Sequence, residues 1–75
     1  MNVDILLNVS QQYAAALDSV NLINAYVDAP PVGMDSVEVA DTIRRNVEHL
    51  QIMVDKDFWT SEDLEPLHSA IALGG

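Results

Sequence analysis

The chain has 75 residues, no cysteine, and twelve acidic side chains against three basic ones, for a formal net charge of −9. This length allows one domain at most, and the missing cysteines exclude disulfides and thiolate metal sites. The charge argues against direct nucleic-acid binding and against anionic membrane surfaces, so a charged partner is expected to be basic, although acidity also serves solubility.

The first predicted helix spans about residues 3–27, a stretch without proline or glycine. Apolar residues recur there at alternating spacings of three and four, which is typical of a heptad seam. The seam comprises Leu6, Val9, Tyr13, Ala16, Val20, Ile23 and Val27. Leu17, Leu22 and Tyr26 widen the stripe, which favours contact with more than one helix. We expect Leu22 and Tyr26 to face a partner.

The second predicted helix spans about residues 36–55, after a loop at 28–35 that contains two prolines and a glycine. Asp35 or Ser36 is suited to cap its first turn, and Asp35 with Glu38 has the spacing of a capping box. The apolar face repeats with the same period as the first helix. It comprises Ala40, Ile43, Val47, Leu50 and Val54.

The opposite face of this helix is charged. Asp41 with Arg45 and Arg44 with Glu48 have the spacing of helical ion pairs, each contributing a few tenths of a kcal/mol, so this face is interpreted as solvated. Ile52 interrupts it and is a candidate for contact with a partner. Met53 lies nearer the apolar edge and is expected in the core.

A joint at residues 56–60 precedes the third predicted helix, at about 61–73. Thr60, Ser61 and Asp63 are all suitable caps. With Asp63 as the cap, Pro66 falls in the first turn, where its missing amide costs nothing; alternatively, a short turn at 61–64 precedes the helix. The apolar face comprises Leu64, Leu67 and Ile71, with Ala70 at its edge, and Gly74 and Gly75 form a natural stop.

The joint sequence KDFWTSEDLEPL holds the only Phe and the only Trp of the chain. An apolar residue just before a helix cap can staple the turn to the helix that follows. We predict that at least one of the two, with Phe58 assigned to this role, packs into the end of the hairpin and fixes the angle of the third helix. Trp59 is predicted to stay partly exposed as an anchor for a partner, since Trp is favoured at such positions.

Together these elements predict an all-α fold: an antiparallel hairpin of two long helices plus a short C-terminal helix, in a single domain. The first helix would be roughly 35 Å long at ~1.5 Å per residue. A short third helix does not cover a seam of that length. The sequence therefore predicts that part of the seam meets another chain.

Little in the sequence points to catalysis. His49 and His68 lack an accompanying metal-ligand motif and are interpreted as exposed or capping residues. The acidic clusters at 55–57 and 62–65 lie at helix ends, where carboxylates usually serve as caps. A chain of this size also struggles to form a deep pocket. We expect no enzyme activity, no cofactor and no metal.

The C-terminal part, about residues 41–75, contains the stretch HLQIMVDKDFWTSEDLEPLHSAIALG. This stretch resembles the C-terminal halves of small acidic proteins of tailed bacteriophages, which are uncharacterised or described as virion structural proteins. The resemblance covers under half of the chain and brings no catalytic or ligand-binding residues. It implies a component of a phage particle.

Two functions are therefore considered. The first is a structural or assembly subunit, most plausibly of a phage virion, that packs helix against helix with its own copies or with a larger virion protein. The second is a small acidic module that inhibits or adapts a basic host protein or nucleic-acid-binding protein. The opening residues lack the basic start of a secretory signal, and no apolar run reaches the length of a membrane span. We expect a location in a virion or in the cytoplasm.

Overall fold

The computed structural model describes the backbone of residues 3–75 and the side chains of residues 9–75. It has three helices, α1 (Val3–Asp28), α2 (Ser36–Met53) and α3 (Ser61–Gly74), which all pack against one another. The predicted all-α fold, a long hairpin with a short third helix, is confirmed. Within the described residues, no helix is both long and apolar enough to cross a membrane.

The loop between α1 and α2 reverses the chain in a tight turn. The amide of Met34 donates to the carbonyl of Pro31 at 3.3 Å, and Gly33 has a φ of 84°. A positive φ at the third position is the geometry of a type II turn, which glycine adopts without strain. Asp35 then caps α2, since its side chain accepts a hydrogen bond from the amide of Val37 at 2.9 Å.

The core lies where α3 covers the hairpin. The buried apolar residues that form it are Ala16, Val20, Ile23, Val47, Leu50, Met53, Leu67 and Ala70. The partly buried residues packed against them are Ile43, Val54, Phe58, Trp59 and Ile71. Val9 and Leu64 are half-buried, and Leu6 lies outside the residues whose side chains are described.

The course of α3 follows from contacts at its two ends. At its start, Tyr13 of α1 donates a long hydrogen bond of 3.4 Å to Asp63. At its end, Gly74 lies against Ile23, Ile43 and Val47. The helix therefore runs parallel to α1, from the level of Tyr13 to the level of Ile23, along the groove between α1 and α2.

α3 ends at the two glycines, as the sequence predicted, with Gly74 as its last helical residue. A Cβ at this position would lie 2.7 Å from Cγ2 of Val47 and 2.9 Å from Cγ2 of Ile43. These distances are shorter than ordinary carbon–carbon contacts. Glycine is therefore needed here so that the end of α3 can approach the hairpin, and Gly75 provides the C-cap.

α3 starts at Ser61, as expected, but Pro66 lies deeper in the helix than expected. Thr60 is the N-cap, with a full capping box: its hydroxyl accepts from the amide of Asp63 at 3.1 Å, and the Asp63 carboxylate accepts from the amide of Thr60 at 3.2 Å. Asp63 is thus the third helical residue, and Pro66 lies inside the helix. The missing Pro66 amide costs one hydrogen bond to the carbonyl of the exposed Glu62, which water can replace.

Two seam residues of α1 are more exposed than the heptad pattern predicts. Tyr13, expected in the core, is 38% exposed, and Val27 is 41% exposed. Tyr13 lies beside the first turn of α3, and Val27 lies one turn beyond Ile23, where α3 has already ended. The heptad pattern defines the face correctly but not the length over which α3 covers it.

Candidate functional site

The rare aromatic residues of the joint are packed together at one end of the hairpin, called here the joint end (residues 54–60). The ring centroids of Phe58 and Trp59 are 4.6 Å apart, and those of Trp59 and Tyr13 are 5.4 Å apart. The indole Nε1 of Trp59 donates to the carbonyl of Met53 at 2.6 Å. Trp59 therefore ties the joint to the end of α2 and to Tyr13 of α1, and Phe58, as predicted, also packs against the core. Contact of the exposed part of Trp59 with a partner stays a prediction.

A polar cluster lies between α1 and α2 near the middle of the hairpin. Ser19 is only 5% exposed, and its hydroxyl lies 2.9 Å from Oδ1 of Asn46 and 2.8 Å from Nδ1 of His49. Nδ2 of Asn46 in turn donates to the carbonyl of Thr42 at 2.8 Å. The sequence interpretation took His49 for an exposed or capping residue and did not detect this cluster. A serine in an alanine-rich helix gave no signal, because its partners lie about 30 residues away.

The direction of each hydrogen bond in the cluster follows from its fixed end. The carbonyl of Thr42 can only accept, so the amide nitrogen of Asn46 must face it and Oδ1 must face Ser19. The single hydroxyl proton of Ser19 is thereby donated to Asn46. Nδ1 of His49 must then carry a proton and donate it to the Ser19 oxygen.

This polarity determines what the cluster can do. A nucleophilic serine needs a histidine that accepts its proton, and here the histidine donates to the serine. The cluster therefore holds Ser19 as a satisfied structural hydroxyl. The hydrogen bonds of Ser19 with Asn46 and His49 join α1 to α2.

The charged face of α2 carries three ion pairs in a continuous network. Arg44 bonds Asp41 and Glu48, the latter at 2.8 Å, and Nε of Arg45 lies 2.9 Å from Asp41. The hydrogen bond from Arg44, aided by the charges of Arg45 and Arg44, holds the pKa of Asp41 below its ordinary value despite some opposing desolvation. The two carboxylates raise the pKa of Arg44. All four side chains are substantially solvated, so this network contributes little stability.

A shallow apolar cavity of about 300 Å³ lies at the other end of the hairpin, called here the loop end (around residues 28–35). We name it the loop-end groove. Its lining residues are Pro30, Met34, Ser36, Val39, Ala40 and Ile43. Ile43 also touches the end of α3, so the groove begins where α3 stops and continues its line.

The remaining predicted partner residues are spread over the surface. Ile52 is 63% exposed on α2, while Leu22 and Tyr26 on α1 are half-buried. His68 is exposed on α3. Leu22 and Tyr26 lie one turn apart on the same face of α1, whereas Ile52 belongs to α2 and His68 to α3. The loop-end groove, which lies elsewhere, was not identified residue by residue from the sequence, because its walls come from the loop and α2 together.

The described part of the chain contains no group of three His, Asp or Glu side chains placed to hold a metal ion. The polar cluster and the loop-end groove are thus the two organised features beyond the core. No protein-family model matches the sequence, and no curated protein and no solved structure matches it at a significant level.

Proposed function

We propose that the chain is a non-enzymatic assembly subunit that works by packing its helices against another protein. The observation that carries the proposal is the loop-end groove. Within residues 9–75, α3 covers only part of the hairpin. An apolar groove therefore stays open, and Val27 is 41% exposed beyond Ile23. An apolar groove of this kind, walled by the loop and α2, is a surface on which an amphipathic helix can dock.

The resemblance of residues 41–75 to small acidic phage proteins makes a virion component the most specific form of this proposal. That stretch comprises most of α2, the joint and the whole of α3, which are scaffold elements. A small bundle with an open groove fits a subunit that attaches to a capsid or tail protein.

The test has two parts. Light scattering after gel filtration gives the mass of the purified chain, and peptide mass spectrometry shows whether purified particles of a phage that encodes it contain the chain. We expect it in the particles, and we expect Ala40→Glu in the loop-end groove to remove it. A chain that is absent from the particles, or that Ala40→Glu leaves there in full amount, contradicts the proposal.

An acidic binding module is the second candidate, and the charge distribution favours it. Arg44 and Arg45 are both engaged by Asp41 and Glu48, so they offset little of the negative surface. A module of this kind would bind a basic protein through many dispersed carboxylates, and its binding would fall steeply with salt. Groove variants such as Ala40→Glu would leave its binding intact, which separates it from the first candidate.

A further inference from the structure

The charges around the loop-end groove indicate what kind of segment fits it. The acidic residues of this end are Asp28, Asp35 and Glu38, which lie outside the groove lining, and residues 28–40 contain no basic residue. Among residues 9–75, no ion pair involves Asp28 or Glu38. Of the three basic residues of the chain, Arg44 and Arg45 are paired with acids and Lys56 belongs to the joint end.

The helix ends add to this negative potential. α1 ends at Asp28 and α3 ends beside Ile43, so both carbonyl ends point toward the loop end. Neither helix has a basic residue in its last turn to offset the partial negative charge of its dipole. The positive start of α2 also lies here, but Asp35 already caps it and Glu38 lies in its first turn.

The shape of the groove indicates a helix. It continues the line of α3 along α2, and the lining residues Ser36, Val39, Ala40 and Ile43 follow the spacing of one helical face. The neighbouring α1 face continues with Val27, one turn past Ile23. A helix laid there would extend the three-helix packing past Gly75.

From these observations we propose that the loop-end groove binds an amphipathic helix of a partner protein, apolar on one face and rich in lysine or arginine on its flanks. The proposal rests on the assembly function above and names the chemistry of its partner. A second copy of this chain is the poorer occupant, because each copy carries a net charge of −9 and brings the same unpaired acids.

The test uses two synthetic helical peptides of roughly 14 residues with the same leucine face. One has lysine on both flanks, the other has glutamate. Each is titrated into the ¹⁵N-labelled chain at about 0.15 M salt, where long-range attraction is screened. We expect the lysine peptide to bind at least about tenfold more tightly than the glutamate peptide, and the shifted amides to centre on Val27, Met34 and Ala40.

The matched variants separate groove binding from general attraction between opposite charges. Ala40→Glu fills the groove but makes the chain more acidic, while Ala14→Glu adds the same charge on the exposed face of α1. We expect Ala40→Glu to weaken binding of the lysine peptide at least about tenfold and Ala14→Glu to leave its binding nearly unchanged. Melting curves verify folding, and Ala40→Gln replaces Ala40→Glu if the latter unfolds.

Each other outcome overturns the proposal. If Ala40→Glu binds the lysine peptide as tightly as Ala14→Glu does, the attraction is only charge. If the glutamate peptide binds the groove equally well, or the chain self-associates through the groove, docking stands but the basic partner helix is wrong. If nothing binds the groove and Ala40→Glu still enters particles, the proposed function fails as well.

Discussion

The two ends of the hairpin contain the same kind of apolar stripe, but α3 and the joint cover only one of them. At the joint end, Trp59 lies over Tyr13 and bonds the carbonyl of Met53, and a capping box starts α3. At the loop end, α3 has stopped, and the groove around Val39 and Ala40 stays open. The comparison shows that the length of α3, rather than the pattern of the hairpin, decides which residues become core.

The covered part of the hairpin therefore supplies most of the stability, and the open end offers a surface for recognition. The joint end and the middle contain the fully buried side chains Ile23, Leu50 and Leu67, which supply the hydrophobic free energy of folding. The loop end contributes less to folding and leaves apolar surface free for a partner. Substitutions along the molecule should therefore fall into two classes.

The largest effect is expected for Leu67→Ala, since Leu67 is buried between α3 and the hairpin. Truncating a fully buried leucine costs about 2–5 kcal/mol, because it loses transfer free energy and leaves a cavity. Leu73→Ala on the same helix is the matched control, since Leu73 is half exposed and should cost well under half as much. Urea unfolding followed by circular dichroism measures both. Equal losses would mean that α3 is not the cover described here.

The next effect is expected for Ser19→Ala in the polar cluster. The change leaves the Nδ1–H of His49 and Oδ1 of Asn46 without their shared partner, at a cost of about 1–3 kcal/mol. Ser10→Ala, an exposed position on the same helix, is the control and should change stability by less than about 0.5 kcal/mol.

The same hydrogen bonds also predict the tautomer of His49, which is measured independently of stability. At a pH where His49 is neutral, ¹⁵N NMR should show its proton on Nδ1 in the native chain. Ser19→Ala should release that preference. A dominant Nε2–H form in the native chain would contradict the hydrogen-bond directions given above.

Much of this architecture could be predicted from the sequence, and the failures share a cause. Helical periods, proline breaks and caps are local signals, so they predicted the three helices and the ion pairs of Arg44 and Arg45. The cluster of Ser19 and the approach of Gly74 depend on residues distant in the chain. Gly74 resembled a helix stop because glycine serves both purposes, and only its neighbours distinguish them.

Gly74→Ala tests that approach directly. Alanine favours a helix over glycine by up to about 1 kcal/mol, so a solvent-facing Gly74 would gain stability on substitution. The added methyl group would instead meet the branched side chains of Val47 and Ile43, and we expect a net loss of about 1 kcal/mol or more. Ser69→Ala, exposed on the same helix, should change stability by less than about 0.5 kcal/mol. A stabilised Gly74→Ala chain would place the end of α3 away from the hairpin.

The last comparison uses two valines on one face of α1, two turns apart, and includes the smallest expected loss of stability. Val20 is 6% exposed under α3, whereas Val27 is 41% exposed beyond it. Val20→Ala should cost about 1–2 kcal/mol, and Val27→Ala should cost roughly a third as much, because removed methyl groups count only where they are buried. The same two variants should rank in the opposite order for binding of the lysine-flanked peptide, since Val27 is exposed on the α1 face beyond the end of α3, where a docked helix would pack. One pair of identical substitutions then reports on both folding and peptide binding. If the same variant loses more stability and more binding, the hairpin has no separate docking end.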